Sequence, residues 1–100
     1  MPAGFLRPPG DGAAKVINVT IPAAGWTAEA GGYYIDVAAD GLLASDCPIV
    51  DINTTSEATY RDLVGELASV YRVEALMGAL RCHVAAPLTK DVPVRLLLVR

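Results

Sequence analysis

Chemistry that turns over a substrate begins with side chains able to attack, to move a proton or to hold a metal, and this chain has few of them. His83 is its single histidine, and Cys47 and Cys82 are its two cysteines. A structural zinc site needs four Cys or His ligands, and no C-x-x-C pair is present. The two thiols are therefore expected to be free and to pack as small apolar residues, with a Cys47–Cys82 disulfide as the alternative. Around His83, Leu80, Cys82 and Val84 alternate with Arg81 and His83. That alternation puts the imidazole opposite the apolar face and predicts its exposure to solvent. Asp36, Asp40, Asp46 and Asp51 crowd one region, but a calcium loop needs its oxygens in a tight D-x-D-x-D-G type of run. Their spacing predicts solvated turn carboxylates instead. No G-x-S-x-G elbow, glycine-rich phosphate loop or H-E-x-x-H pair occurs. No catalytic, cofactor-binding or metal-binding residue is expected, and an enzyme is the least favoured reading.

The aromatic residues offer binding rather than catalysis. The chain holds one Phe, one Trp and four Tyr. Trp26, Tyr33 and Tyr34 cluster around a glycine-containing connection. Aromatics on loops can stack on sugar rings or on another protein, which makes these three candidate ligand-binding residues; otherwise Trp26 plugs one end of the core. Phe5 and Leu6 lie within residues 1–15, where Pro2, Pro8, Pro9, Gly4, Gly10 and Gly12 oppose regular structure. A purely solvated tail does not need the chain's only Phe. Residues 1–15 are thus expected to be an extended arm that docks Phe5 and Leu6 into a neighbour, or else a terminus that folds back on its own domain.

The elements that position these residues follow from periodicity. Ile17, Val19 and Ile21 alternate with polar residues, predicting a strand from Val16 to Ile21 closed by Pro22. Tyr33 to Ala39 reads as a second strand, with Tyr33, Ile35 and Val37 on one face and Tyr34 and Asp36 on the other. Asp40-Gly41 is a turn signal, and residues 48–52 make a short third strand. Thr54 and Glu57 match a capping box. Tyr60, Leu63, Val64, Leu67, Val70 and Tyr71 then recur at helical spacing, predicting an amphipathic helix from Glu57 to Arg72 or slightly beyond. Gly65 inside it suggests close contact with the sheet, and Met77-Gly78 is expected to end the helical region. Ala79 to Ala85 and Pro93 to Val99 are the closing strands. The last is apolar on both faces, with Val94, Leu96 and Leu98 against Leu97 and Val99, so it is central in a sheet or covered by a partner. The expected fold is α+β: a small, mostly antiparallel sheet of about five strands packed against one amphipathic helix. A single domain over residues 16–100 follows the arm.

Composition narrows the partners. Of 100 residues, 53% are hydrophobic and 19% charged, which excludes intrinsic disorder. No unbroken apolar run reaches the ~18 residues of a transmembrane helix, and the early prolines stand where the apolar core of a signal peptide would be. The net charge is −3 and the basic residues are scattered. Nucleic acid and anionic membrane surfaces are therefore not expected as partners. So little charge on so short a chain implies an apolar surface, and hence copies or companions to cover it.

Several stretches together resemble a small β-rich structural domain of tailed-bacteriophage and prophage virion proteins. They are Val19-Thr20-Ile21-Pro22-Ala23-Ala24-Gly25-Trp26, Tyr33 to Val37, the run from Gly41 to Asp51 with its Ser45-Asp46-Cys47-Pro48-Ile49-Val50-Asp51, Ala85-Ala86-Pro87, and Asp91 to Leu96. The resemblance covers residues 16–100 and leaves out the arm. It implies a non-enzymatic virion component, in a fibre, tail or baseplate or decorating the capsid, assembled in the bacterial cytoplasm. It carries no catalytic residues or cofactors. The partners expected are copies of itself, a trimer being favoured, through Leu97 and Val99, and other virion proteins through Phe5 and Leu6. The alternative is a module that recognises a host-surface glycan or protein through Trp26, Tyr33 and Tyr34.

Overall fold

The alternation from Val92 to Val99 decides the architecture. Successive side chains of an extended strand leave on opposite faces. Here Val92, Val94, Leu96 and Leu98 are buried, while Arg95, Leu97 and Val99 are exposed. The computed structural model describes residues 14–99. Along them run β1 (Ala14–Ile21), β2 (Thr27–Glu29), β3 (Gly32–Ala38), β4 (Ile49–Ile52), α1 (Glu57–Ala68), β5 (Val70–Leu76), β6 (Ala79–Val84) and β7 (Val92–Val99). They form a three-stranded sheet in the order β1-β7-β4 and a four-stranded sheet in the order β2-β3-β6-β5. Every pairing is antiparallel.

The core lies between the inner faces of the two sheets. Register places Ile17 opposite Leu96, Ile21 opposite Val92 and Ile52 opposite Val94, so all six side chains leave the first sheet on one side. The second sheet answers with Leu80, Cys82 and Val84, all fully buried, and with Tyr33, Ile35, Val37 and Val73 packed around them. Each Leu, Ile or Val taken fully out of water in this way stabilises the fold by about 1.5–3 kcal/mol.

The α+β class and the antiparallel pairing agree with expectation, but the single sheet of about five strands does not. The described residues form seven strands in two sheets, and the inner layer over β7 is the second sheet rather than the helix. The difference arises at residues 70–76. Helix α1 stops at Ala68, with Ser69 as its C-cap, and the chain turns at once into β5. Val70 and Tyr71 do continue the helical spacing, yet β-branched and aromatic residues also suit a strand, and pairing with β6 outweighs local preference. Met77-Gly78 therefore closes a hairpin instead of a helix, with Gly78 at a φ of 76° that favours glycine. A register shift between Val70 and Arg72 marks a bulge at Tyr71.

Smaller corrections follow from the same geometry. The helix is capped by Ser56, whose side chain accepts from the Thr59 N–H at 3.2 Å. Thr54 accepts from the Ser56 N–H instead, so its capping box with Glu57 does not form. Leu63 is buried and Leu67 partly so, but Tyr60 and Val64 face solvent, and α1 covers only one end of the sandwich. It is tied there by Glu66, which accepts from the Thr89 and Lys90 N–H groups at 2.7 and 3.0 Å. Gly65 meets nothing and gives no close approach to a sheet. The three residues of β2, which the periodicity does not single out as a strand, make a hairpin with β3. Ala14 and Lys15 belong to β1 rather than to the arm.

Two glycines test this arrangement. A Cβ at Gly32 would drive into the Val84 carbonyl oxygen, which is backbone and cannot step aside. Gly32→Ala should cost roughly 1–3 kcal/mol by forcing β3 from β6. Gly65→Ala should instead stabilise by about 0.5–1 kcal/mol, because the space beside it is open and alanine favours the helix. Urea unfolding of the two variants beside the parent protein measures both.

Candidate functional site

The outward face of the three-stranded sheet is built by the same alternation that fills the core. Arg95, Leu97 and Val99 point away from the interior, and register adds their cross-strand neighbours. Leu97 is flanked by Val16 on β1 and Ile49 on β4, and Arg95 by Asn18 and Asp51. Ile49 is 60% exposed and Val99 72%, with Val16, Leu43 and Leu97 also open to solvent. A groove of about 400 Å³ runs between Val16, Ile49, Asp51, Arg95 and Leu97. A second hollow, bordered by Leu43, Cys47 and Val99, shares Ile49 and Leu97 with it, so the two form one apolar trough. The charges lining the groove are Arg95 and Asp51, joined at 3.3 Å. Such a face has the apolar character of an interaction surface; among the described residues it pairs no nucleophile with a base.

The outward face of the four-stranded sheet is the opposite in character. His83 lies there on β6, with Nδ1 2.8 Å from Glu29 of β2 and Nε2 2.5 Å from Glu74 of β5. A neutral imidazole has one N–H and cannot donate to both carboxylates, so this geometry holds the imidazolium. The hydrogen bonds to Glu29 and then to Glu74 raise the His83 pKa above its ordinary value, against the pull of burial. The His83 hydrogen bond in turn lowers the Glu74 pKa. Tyr34 and Tyr71 flank the ring, at centroid distances of 6.4 and 6.2 Å. Beside them Arg81 forks onto Asp36 at 2.7 and 2.9 Å and lies over the Tyr34 ring.

His83 thus departs from its expected exposure, being only 8% accessible. It does sit opposite the apolar face, as the alternation requires, but flanking side chains from β2, β3 and β5 close over it. Each of these charges is satisfied by another member of the network. The acidic residues are dispersed rather than gathered: Asp36 serves Arg81, Asp51 serves Arg95, and Asp46 accepts from the Leu43 N–H. Among the described residues no group of His, Cys, Asp and Glu is arranged to hold a metal.

The expected binding residues are distributed as follows. Leu97 and Val99 stand together on the apolar face. Phe5 and Leu6 lie outside the described residues. Trp26, Tyr33 and Tyr34 do not form one platform. Trp26 packs against the core and donates its indole N–H to the Pro22 carbonyl at 3.0 Å. Tyr33 points inward with Ile35, and Tyr34 points outward beneath Arg81. Cys47 is an exposed free thiol and Cys82 a buried one, its pKa pushed up to about 12 by desolvation. Val16, Leu43 and Ile49 were missed as site residues. The signal for two of them was phase: Val16 and Ile49 break step with the inward-facing Ile17, Val19, Val50 and Ile52.

No protein-family model, curated protein or solved structure matches this chain.

Two measurements probe these placements. His83 gains its charge partners on folding, so its contribution is fully present below its unfolded pKa of about 6.5 and lost as pH rises through the higher folded value. The melting temperature should therefore fall as pH rises from about 6.5 through the raised folded value, and His83→Gln should flatten that fall. Trp26→Ala should lose about 2 kcal/mol of stability, short of the ~3–5 of a fully buried aromatic; an unchanged urea midpoint would contradict its packing role.

Proposed function

We propose that this domain is a non-enzymatic structural component of a bacteriophage virion, which docks onto copies of itself and onto neighbouring virion proteins. The observation that carries the docking is the apolar outward face of β1-β7-β4. Val16, Leu43, Ile49, Leu97 and Val99 are open to water on one side of a domain with a single small core. Exposed apolar surface of this kind marks an interaction site. The other outward face, where a catalytic set would need free groups, satisfies its own charges instead. The virion assignment draws on the resemblance across residues 16–100. In this reading Phe5 and Leu6 supply a second, separable contact, and the protein reaches its place in a capsid, fibre, tail or baseplate after synthesis in the bacterial cytoplasm.

Incorporation into particles is the test. Ile49→Lys/Leu97→Lys should fold with a nearly unchanged melting temperature and fail to enter particles, because two ammonium groups would have to be desolvated at the contact. Removing residues 1–13, which leaves β1 whole, should also reduce incorporation. Normal incorporation of the double-lysine variant would refute the docking face, and normal incorporation of the truncated chain would refute the arm.

A further inference from the structure

The apolar face has a symmetry that says what can sit on it. Two rows cross from β7 to β4. In one, Leu97 stands opposite Ile49; in the next, Arg95 stands opposite Asp51. All four side chains leave the sheet on the same outward side. The face therefore offers an apolar pair and, one step along, a pair of opposite charges. Arg95 and Asp51 meet through one contact at 3.3 Å, and both side chains remain about half exposed, so each keeps hydrogen-bonding capacity. Lys15 does not add to the charge here, because it pairs with Leu98 and so leaves β1 on the other side.

We propose that the occupant of this face is a second copy of the same chain, related by a twofold axis that runs along the strands between β4 and β7. This rests on the docking reading above and names its partner. A half-turn about that line exchanges the two strands. It sets Leu97 over Ile49 of the second copy and Arg95 over Asp51 of the second copy in one operation. Both rows are satisfied without any change of register, and no like charges oppose. The contact is isologous, so each Arg95 gains a second carboxylate and each Asp51 a second guanidinium. A partner of strong net charge finds no such complement, because these two rows carry one charge of each sign. Strands on either side remain aligned, as in two sheets packed face to face about 10 Å apart.

Exchange of the charge pair provides the test. The full chain and its Asp51→Arg/Arg95→Asp variant are each examined by native mass spectrometry, then mixed and allowed to exchange. Both should pair with themselves, since the swap restores every opposite-charge contact. Mixed pairs should fall several-fold below the half expected from random mixing. In a mixed pair Asp51 of the parent chain would face the carboxylate newly placed at position 95 of the variant, and Arg95 of the parent would face the guanidinium newly placed at position 51. Mixed pairs at the random frequency would overturn the twofold contact, as would a trimer or a monomer at millimolar concentration. Should the swapped chain not fold, Leu97→Lys alone must abolish pairing while leaving the melting temperature nearly unchanged; pairing that persists refutes the proposal. A parent protein that stays monomeric, yet whose Ile49→Lys/Leu97→Lys variant is excluded from particles, removes the twofold partner and leaves the docking face standing.

Discussion

The pleat of β7 is the constraint on which both halves of this molecule depend. The strand is central, hydrogen-bonded to β1 on one side and β4 on the other, so it cannot rotate to hide an unwelcome side chain. Val92, Val94, Leu96 and Leu98 face inward only because Arg95, Leu97 and Val99 face outward. A slip by one residue would reverse the two sets. The apolar face is therefore not a decoration added to a finished core. It is the other side of the strand that makes the core, and its position is as fixed as the interior itself.

The two outward faces resolve their residue types differently. On the four-stranded sheet, neighbouring side chains bring opposite charges together until Glu29, His83, Glu74 and Arg72, and separately Arg81 and Asp36, are matched. Such a surface gains little by meeting another molecule, since its charges already have partners. On the three-stranded sheet, neighbouring strands place Val16, Leu97 and Ile49 in one row. No element of the described chain lies over that row, because α1 is committed to the far end through Leu63 and Glu66. The contrast between a self-satisfied face and an open one is what the proposed structural role rests on.

How much of this could be read from the residues depends on whether local pattern and tertiary context agree. β1, β3, β6 and β7 were legible because their alternation matches the burial they meet. β5 was not, because Val70 and Tyr71 continue the helical stripe of Leu63 and Leu67 as readily as they start a strand, and only the pairing with β6 decides between them. Losing β5 also hid Glu74, and without Glu74 the burial of His83 had no visible cause. The exposed apolar face was half legible. Leu97 and Val99 stood out on a strand apolar on both faces, whereas Val16 and Ile49 each needed register to join them. Trp26, Tyr33 and Tyr34 were close in sequence, but Tyr33 and Tyr34 are adjacent in one strand and must part to opposite faces.

The kink at Tyr71 has a consequence for how such molecules can stack. Sheets left open at their rims invite fibrillation, in which chains add edge to edge without limit. Continuous growth of that kind needs a receptive rim at both ends of a sheet. Here β5 is bent out of step at Tyr71, and β2 and β4 extend only three and four residues. Each sheet thus has at least one rim too crooked or too brief to be a good template for a newcomer.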